Sequence, residues 1–273
     1  MTRVYKNNVI IDDGVVTKKN KNNNLIELFD YLETRNFNNF PKVISSDDRE
    51  IKTEYIESKD YHEMTKGVEL IKTVSQLHYK TLFFKDISKN KYRKVYDTLS
   101  GNIEYLKKYY LEMIENIESS EFMSPKEYLI ARNYSIIDSS LSYASKELKS
   151  WFKLVENKSK ERVCTLHNNV ALNHFIHGDK NYLISWDNYM VDTPVLDLYK
   201  FYKMDGYKLD FNYLLKIYNE NLELTKEEKM LLNILISIPP KIETIGDEYI
   251  DTGNARETID YIYSGALVVN DNK

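Results

Sequence analysis

One cysteine in 273 residues, Cys164, leaves no partner for an intrachain disulfide, and nothing in the chain marks an oxidising compartment. It stands between Val163 and Thr165 in an apolar run, where a thiol acts as a small buried hydrophobe and not as a nucleophile. Surplus positive charge is missing too. The 38 Lys and Arg face 42 Asp and Glu, a net charge of −4, and the lysines alternate with acids, so the clustered basic face that nucleic acid requires is absent. Long apolar runs are lacking: the longest, 230–238, is interrupted by Asn233 and Ser237. With no signal-peptide core in MTRVYKNN, no membrane is expected as a partner and a cytoplasmic location is the expectation. Tryptophan occurs twice and glycine eight times, against 23 tyrosines, many of which should sit with the ring inside and the hydroxyl at water. What remains, 42% apolar and 29% charged residues, is enough for a sizeable core in one large domain or two closely packed lobes.

Residues 3–19 alternate short β-type runs with the turn signals Lys6-Asn7-Asn8 and Asp13-Gly14, and Asp-Gly between β-branched residues predicts a tight hairpin. Leu25, Leu28, Phe29 and Leu32 then recur at helical spacing, with Asn22, Asn23 and Asn24 as N-cap candidates. Residues 41–44 and 51–56 read as a strand pair around the turn 45–50. After a short polar connection, 57–61, the apolar period changes to 3.6, as in Leu70, Val74 and Leu77, and in Ile103, Leu106 and Tyr110. A third helix, long or broken, runs through Tyr128, Ile136, Leu141, Leu148 and Phe152. Ser124-Pro125-Lys126-Glu127 opens it with an N-cap, a proline at the first helical position and a capping-box acid. Thr225-Lys226-Glu227-Glu228 repeats the box before an apolar helix that Pro239-Pro240 ends. A last helix is expected over 242–263, weakened by Gly246 and Gly253, with a tail from Val268 that frays. The expectation is an α+β chain: a small β-rich lobe with one helix at 1–57 and a larger helical lobe at 58–273.

The densest stretch is 162–202, RVCTLHNNVALNHFIHGDKNYLISWDNYMVDTPVLDLYKFY. It packs a short strand, a polar loop, three of the five histidines, a second strand, an acid and an Asp-led helix into 41 residues, the crowding expected of a site. Its first part, LHNNVALNHFI, resembles the catalytic loop HGDxHxxN of the aminoglycoside phosphotransferase and choline kinase family, which includes spore-coat kinase-like proteins. YLISWDNYMVDTPVLDLYKF resembles the metal-binding segment that follows, and DGVVTKK before a helix resembles the lysine-bearing third strand. The resemblance spans about residues 3–265, with the distinctive pattern confined to the central stretch. It implies a bilobal protein-kinase-like fold, ATP and Mg²⁺ as cofactors, and transfer of phosphate to a small alcohol or amine.

Position by position, the scaffold matches and the chemistry departs. His167, Trp186, Asp187, Pro194 and Asp197 fall on family positions. Asn169 falls where the catalytic aspartate belongs, His174 where the metal-binding asparagine belongs, and Ser185 where the metal-binding aspartate belongs. An amide cannot take the proton of an attacking hydroxyl, a loss on the order of 10²–10⁴ in rate. A hydroxyl and an imidazole are poor substitutes for the hard oxygens that Mg²⁺ prefers. Gly14 is the only glycine in 1–57, so a glycine loop over phosphates is lacking as well.

The remaining candidates carry paired readings. Lys18 or Lys19 is a phosphate-pairing lysine with Glu27 or Glu33 as its acidic partner, or else a solvated strand end. Asp187 is a surviving metal ligand or a structural acid held by backbone amides. Asp197 is an N-cap or a loop brace, His167 a buried loop-bracing histidine, and His78, in QLHYKT, a packing residue. His167, His174 and His177 also raise a metal-site reading, without a framing HExxH or CxxC. The leading expectation is a pseudokinase that acts by binding a small molecule or a protein partner of unknown identity, with ATP and Mg²⁺ held weakly or not at all. The competing expectation is an active phosphotransferase with Asp187 on the metal and a nearby acid such as Asp179 as base.

Overall fold

The computed structural model describes residues 3–5, 9–20, 24–59 and 61–271. The turn expected at 6–8 and the N-cap candidates Asn22 and Asn23 lie outside them. By its internal contacts the chain divides into two compact units, one made of Met1–Phe84, Arg162–Asp205 and Tyr213–Glu223, the other of Lys85–Glu161, Gly206–Asn212 and Leu224–Lys273.

The first unit opens with β1 (Arg3–Tyr5), β2 (Val9–Asp12) and β3 (Val15–Lys19), crosses α1 (Leu25–Thr34), and returns through β4 (Val43–Ser46) and β5 (Glu50–Glu54). These strands form an antiparallel sheet in the order β1-β2-β3-β5-β4. The hairpin between β2 and β3 turns on Asp13 and Gly14, with φ of 44° and 75°. Positive φ at both central residues is what a primed two-residue turn demands, and Asp-Gly supplies it at little cost. Register then fixes which side chains share a face: Ile11 pairs with Val16, Val16 with Thr53, and Lys18 with Ile51. Alternation along each strand puts Val9, Ile11, Val16, Lys18, Ile51 and Thr53 on one side of the sheet.

α2 (Glu63–Thr81) follows, then β6 (Phe83–Asp86). After the second unit's long helices the chain re-enters with β7 (Lys160–Leu166), the hairpin of β8 (Phe175–His177) and β9 (Asn181–Leu183), β10 (Met190–Asp192), α5 (Val195–Met204) and, from Tyr213, most of α6 (Phe211–Asn221). β10 pairs antiparallel with β7, Val191 opposite Thr165. Thr81, buried at the end of α2, accepts the N–H of Thr165 through its hydroxyl at 3.0 Å, tying that helix to β7. Cys164 is fully buried in β7, as its apolar neighbours require.

The second unit is helical. Its main elements are α3 (Lys91–Glu118), α4 (Pro125–Val155), α7 (Lys226–Ser237) and α8 (Glu248–Asp271), with α4 packed against the other three. α4 is one unbroken helix of 31 residues. Both capping boxes form: Ser124 N–H donates to Glu127 at 2.8 Å, and Thr225 N–H to Glu228 at 2.8 Å. Each cap is worth about 1 kcal/mol. The last helix departs from expectation at both ends. It begins at Glu248, because Gly246 adopts φ of 93° and the Asp251 carboxylate accepts the N–H groups of Ile245 and Gly246. It continues through Gly253 to Asp271, with Val268 and Val269 buried, so the tail does not fray at Val268. None of the described helices is long and apolar enough to cross a membrane.

Candidate functional site

The loop 167–174 and the segment 184–188 lie side by side in the first unit, and almost every polar group between them is spoken for. Asp197 is the anchor. It is fully buried inside the first turn of α5, whose N-cap is Pro194, and so is a loop brace and not a cap. Its carboxylate accepts the His167 N–H at 2.8 Å and the Asn168 N–H at 2.7 Å, and faces His78 Nε2 at 3.1 Å. A carboxylate has no proton to give, so His78 donates through Nε2, and its Nδ1 accepts from the Tyr218 hydroxyl at 2.8 Å. All three side chains are fully buried. Tyr218, His78 and Asp197 thus form a relay from α6 through α2 to the loop backbone.

Further braces complete the loop. Lys200 donates to the Asn168 carbonyl at 2.8 Å, and Asp205, at the end of α5, accepts the Leu172 N–H at 2.7 Å. Asn168 takes a left-handed φ of 58° and donates its amide to the Asn188 carbonyl at 2.6 Å. His167 donates through Nε2 to the Ile184 carbonyl at 2.9 Å and meets the Trp186 ring edge-on at 4.7 Å. Burial pushes its pKa down to about 4 and outweighs the opposing pull of the Asp197 carboxylate, so the ring is neutral at pH 7 and Nδ1 carries a lone pair that finds no donor among the described residues. Trp186 in turn donates to the Leu183 carbonyl at 2.8 Å and is boxed by Phe29, Phe37 and Phe40, with ring centroids at 6.0, 6.3 and 6.4 Å.

The three altered positions sit inside this frame. Asn169 donates its side-chain amide to the Ser185 carbonyl at 3.3 Å. His174 donates through Nδ1 to the Asn169 carbonyl at 2.9 Å. Ser185 occupies the left-handed region with φ of 66°, and its hydroxyl accepts from Lys18 Nζ at 3.4 Å. Lys18 therefore faces this site from β3, while Lys19 next to it is exposed. Glu27 and Glu33 are both exposed on α1, and among the described residues no ion pair joins either to Lys18. On that helix it is Leu25 and Phe29 that reach the site.

These elements enclose a pocket of about 300 Å³. Its lining includes the sheet face carrying Val9, Ile11, Val16, Ile51 and Thr53, together with Ile176, Ile184, Ser185 and Trp186. Tyr55 and Ile56 line it as well. The charged groups on its lining are Lys18, Glu54 and Asp187. Asp187 is half-buried in the single 3-10 turn after Ser185. Asp179 is elsewhere: it lies exposed on the turn between β8 and β9 and accepts from the Tyr182 hydroxyl at 2.7 Å. His177 pairs with Asn181 at 2.5 Å on the same hairpin. Among the described residues no group of three His, Cys, Asp or Glu side chains is disposed to hold a metal ion. Mg²⁺ fits Ser185, His174 and Asp187 poorly as a donor set, since Ser185 already accepts from an ammonium and His174 offers nitrogen, which leaves Asp187 as the one hard anionic ligand of the three.

Sequence reasoning missed Phe37, Phe40, Tyr218, Lys200 and Asp205, and the apolar face of the sheet. Lys200 and Asp205 follow Asp197 at intervals that a helix could have flagged, whereas the aromatic box is a long-range arrangement with no local signal.

No family model matches the chain, and no curated protein matches it in sequence. Solved structures do resemble it. An aminoglycoside phosphotransferase from Alicyclobacillus acidocaldarius aligns with a TM-score of 0.66 at 10% identity, covering 100% of this chain and 89% of that one. A glucosamine kinase gives 0.59 at 8% identity, over 99% and 79% of the two chains. A spectinomycin phosphotransferase gives 0.54 at 12% identity, over 99% and 87%. The chain thus has the kinase-like α+β fold of the aminoglycoside phosphotransferases, with a small antiparallel-sheet region at its N-terminal end and a larger helical part.

Proposed function

We propose that this kinase-like protein is impaired in phosphotransfer and works by binding a ligand in the pocket between the sheet and the 184–187 segment. In this reading 1–57 is the small lobe and 58–273 the helical lobe that carries the degenerate loop. The observation that carries it is the Lys18 hydrogen bond to Ser185: a cation sits against the position where the fold's relatives would need a metal-binding carboxylate, and nearby Asn169 has spent its amide on the Ser185 carbonyl. Neither residue can accept the proton of an attacking hydroxyl at neutral pH. The loop is rigidly built all the same, which supports a site kept for binding.

A second reading, an active phosphotransferase, draws support from Lys18 and Asp187 lining one pocket. What counts against it is that Asp179, the acid offered as its base, stands exposed on the hairpin turn and accepts from the Tyr182 hydroxyl. Incubation of the purified protein with radiolabelled ATP, Mg²⁺ and a panel of small alcohols and amines separates the two. The impaired reading expects no transfer above the uncatalysed rate. Mg²⁺-dependent turnover that vanishes in Asp187→Ala would overturn it in favour of the enzyme.

A further inference from the structure

The helix α3 has one packed side and one open side. Tyr92, Ile103, Leu106, Tyr110, Ile114 and Ile117 are buried, and its main packing partner is α4. At 3.6 residues per turn, the side opposite is a stripe of Lys94, Asp97, Gly101, Tyr105, Lys108 and Glu112. All six are exposed.

Three features of this helix have no account within the chain. Charge runs against its dipole: Lys91, Arg93 and Lys94 occupy the first turn and Glu112, Glu115 and Glu118 the last two, with no acid in the first turn and no base in the last. Helix ends favour the reverse placement. The ion pairs along it, Arg93 with Asp97 at 4.0 Å and Lys108 with Glu112 at 3.6 Å, also set the base ahead of the acid, the weaker order at that spacing. Gly101 stands mid-helix, where glycine costs stability relative to alanine, yet a methyl group there would meet no atom of the described residues within 4 Å. Tyr105 is 52% exposed although it is held in place, stacked on Tyr109 at 6.2 Å with Lys241 Nζ 5.8 Å from its ring centroid.

A second, antiparallel copy of the same helix accounts for all three. Lys94 with Glu112 and Gly101 with Tyr105 share one midpoint, at the level of Ile103, and the midpoint of Asp97 with Lys108 falls within half a residue of it. A two-fold axis there sets each of these bases opposite an acid and each Tyr105 ring over a glycine, where ring and backbone can approach closely. Parallel pairing would instead set Lys94 against Lys94 and Glu112 against Glu112. We infer that the chain forms a two-fold dimer through antiparallel α3 helices, with Tyr105 of each copy on Gly101 of the other between flanking Lys94–Glu112 and Lys108–Asp97 pairs. The exposed ion pairs set the register and the salt dependence, and the central tyrosines carry most of the affinity. The dimer does not depend on whether the protein transfers phosphate.

Sedimentation equilibrium of the full chain tests it. A dimer is expected at about 100 µM in low salt, and raising the salt roughly tenfold should weaken its Kd by about tenfold or more. Lys94→Glu with Lys108→Glu sets like charges opposite each other, as does Asp97→Lys with Glu112→Lys. Each doubly substituted protein alone should dimerise at least about tenfold more weakly, whereas their equimolar mixture should form a heterodimer within about threefold of the wild-type Kd. Tyr105→Ala, which leaves every charge in place, should weaken the dimer by about tenfold or more. A monomer at every concentration, a dimer indifferent to the charge reversals and to Tyr105→Ala, or a mixture that stays monomeric would overturn the inference. Species beyond the dimer that grow with concentration would overturn the two-fold in favour of head-to-tail contacts between the basic and acidic ends of α3.

Discussion

Two sets of residues share the loop 167–174 and have been treated very differently. The bracing set, Tyr218, His78, Asp197 and His167, is fully buried, and Asp197 alone serves three donors. The set at the chemical positions, Asn169, His174 and Ser185, is partly exposed and is linked by single, longer or more peripheral contacts. The contrast teaches that the shape of the loop and its chemistry are separable: the first depends on buried partners far apart in sequence, the second on side chains that can change without disturbing them.

Breaking the anchor should have the largest effect. Asp197→Ala leaves two loop N–H groups and an imidazole N–H buried without an acceptor, and a loss of about 3–5 kcal/mol is expected in urea unfolding. A loss below about 1 kcal/mol would mean that the loop has other means of support.

Next comes the titration of His167. Its folded pKa, about 4, lies below the 6.5 of the unfolded chain, so the unfolded state takes up the proton first as pH falls. The stability that neutral His167 contributes is complete above about pH 6.5, declines between 6.5 and 4, and changes no further below 4. The decline amounts to about 3 kcal/mol at most. His167→Phe removes this titration, so the stability gap between wild type and variant should close by that order across the window. A gap independent of pH would show that the ring titrates in the folded protein as it does in the unfolded chain. Tyr218→Phe, which removes one buried hydroxyl from His78, should cost about 1 kcal/mol, also read from urea midpoints.

How much of this was legible in the sequence depends on how local each signal is. The Asp13-Gly14 turn, both capping boxes and the strand pairs are written in neighbouring residues, and they form as expected. The choice between Lys18 and Lys19 could not be made locally, because it depends on the register that pairs Lys18 with Ile51. Asp197 left cap and brace equally open until Pro194 took the N-cap and the loop amides turned toward the carboxylate. The start of the last helix was misplaced because Asp251, six residues after Ile245, captures backbone groups that a helix beginning at 242 would have used. The aromatic box around Trp186 joins residues about 150 positions apart, a distance no periodicity reports.

The smallest expected effect is the most informative about the comparison. Asn169→Ala removes one hydrogen bond of 3.3 Å to the Ser185 carbonyl from a part-buried site, while the backbone contacts of the loop to Asp197, Lys200 and Asp205 stay in place. The carbonyl it leaves behind is near enough to solvent to find water, so stability should change by less than about 0.5 kcal/mol. The same substitution in a loop whose shape depended on its central polar residue would cost several times more. A loss comparable to that of Asp197→Ala would therefore break the separation of shape from chemistry, and would make Asn169 a structural member of the loop in its own right.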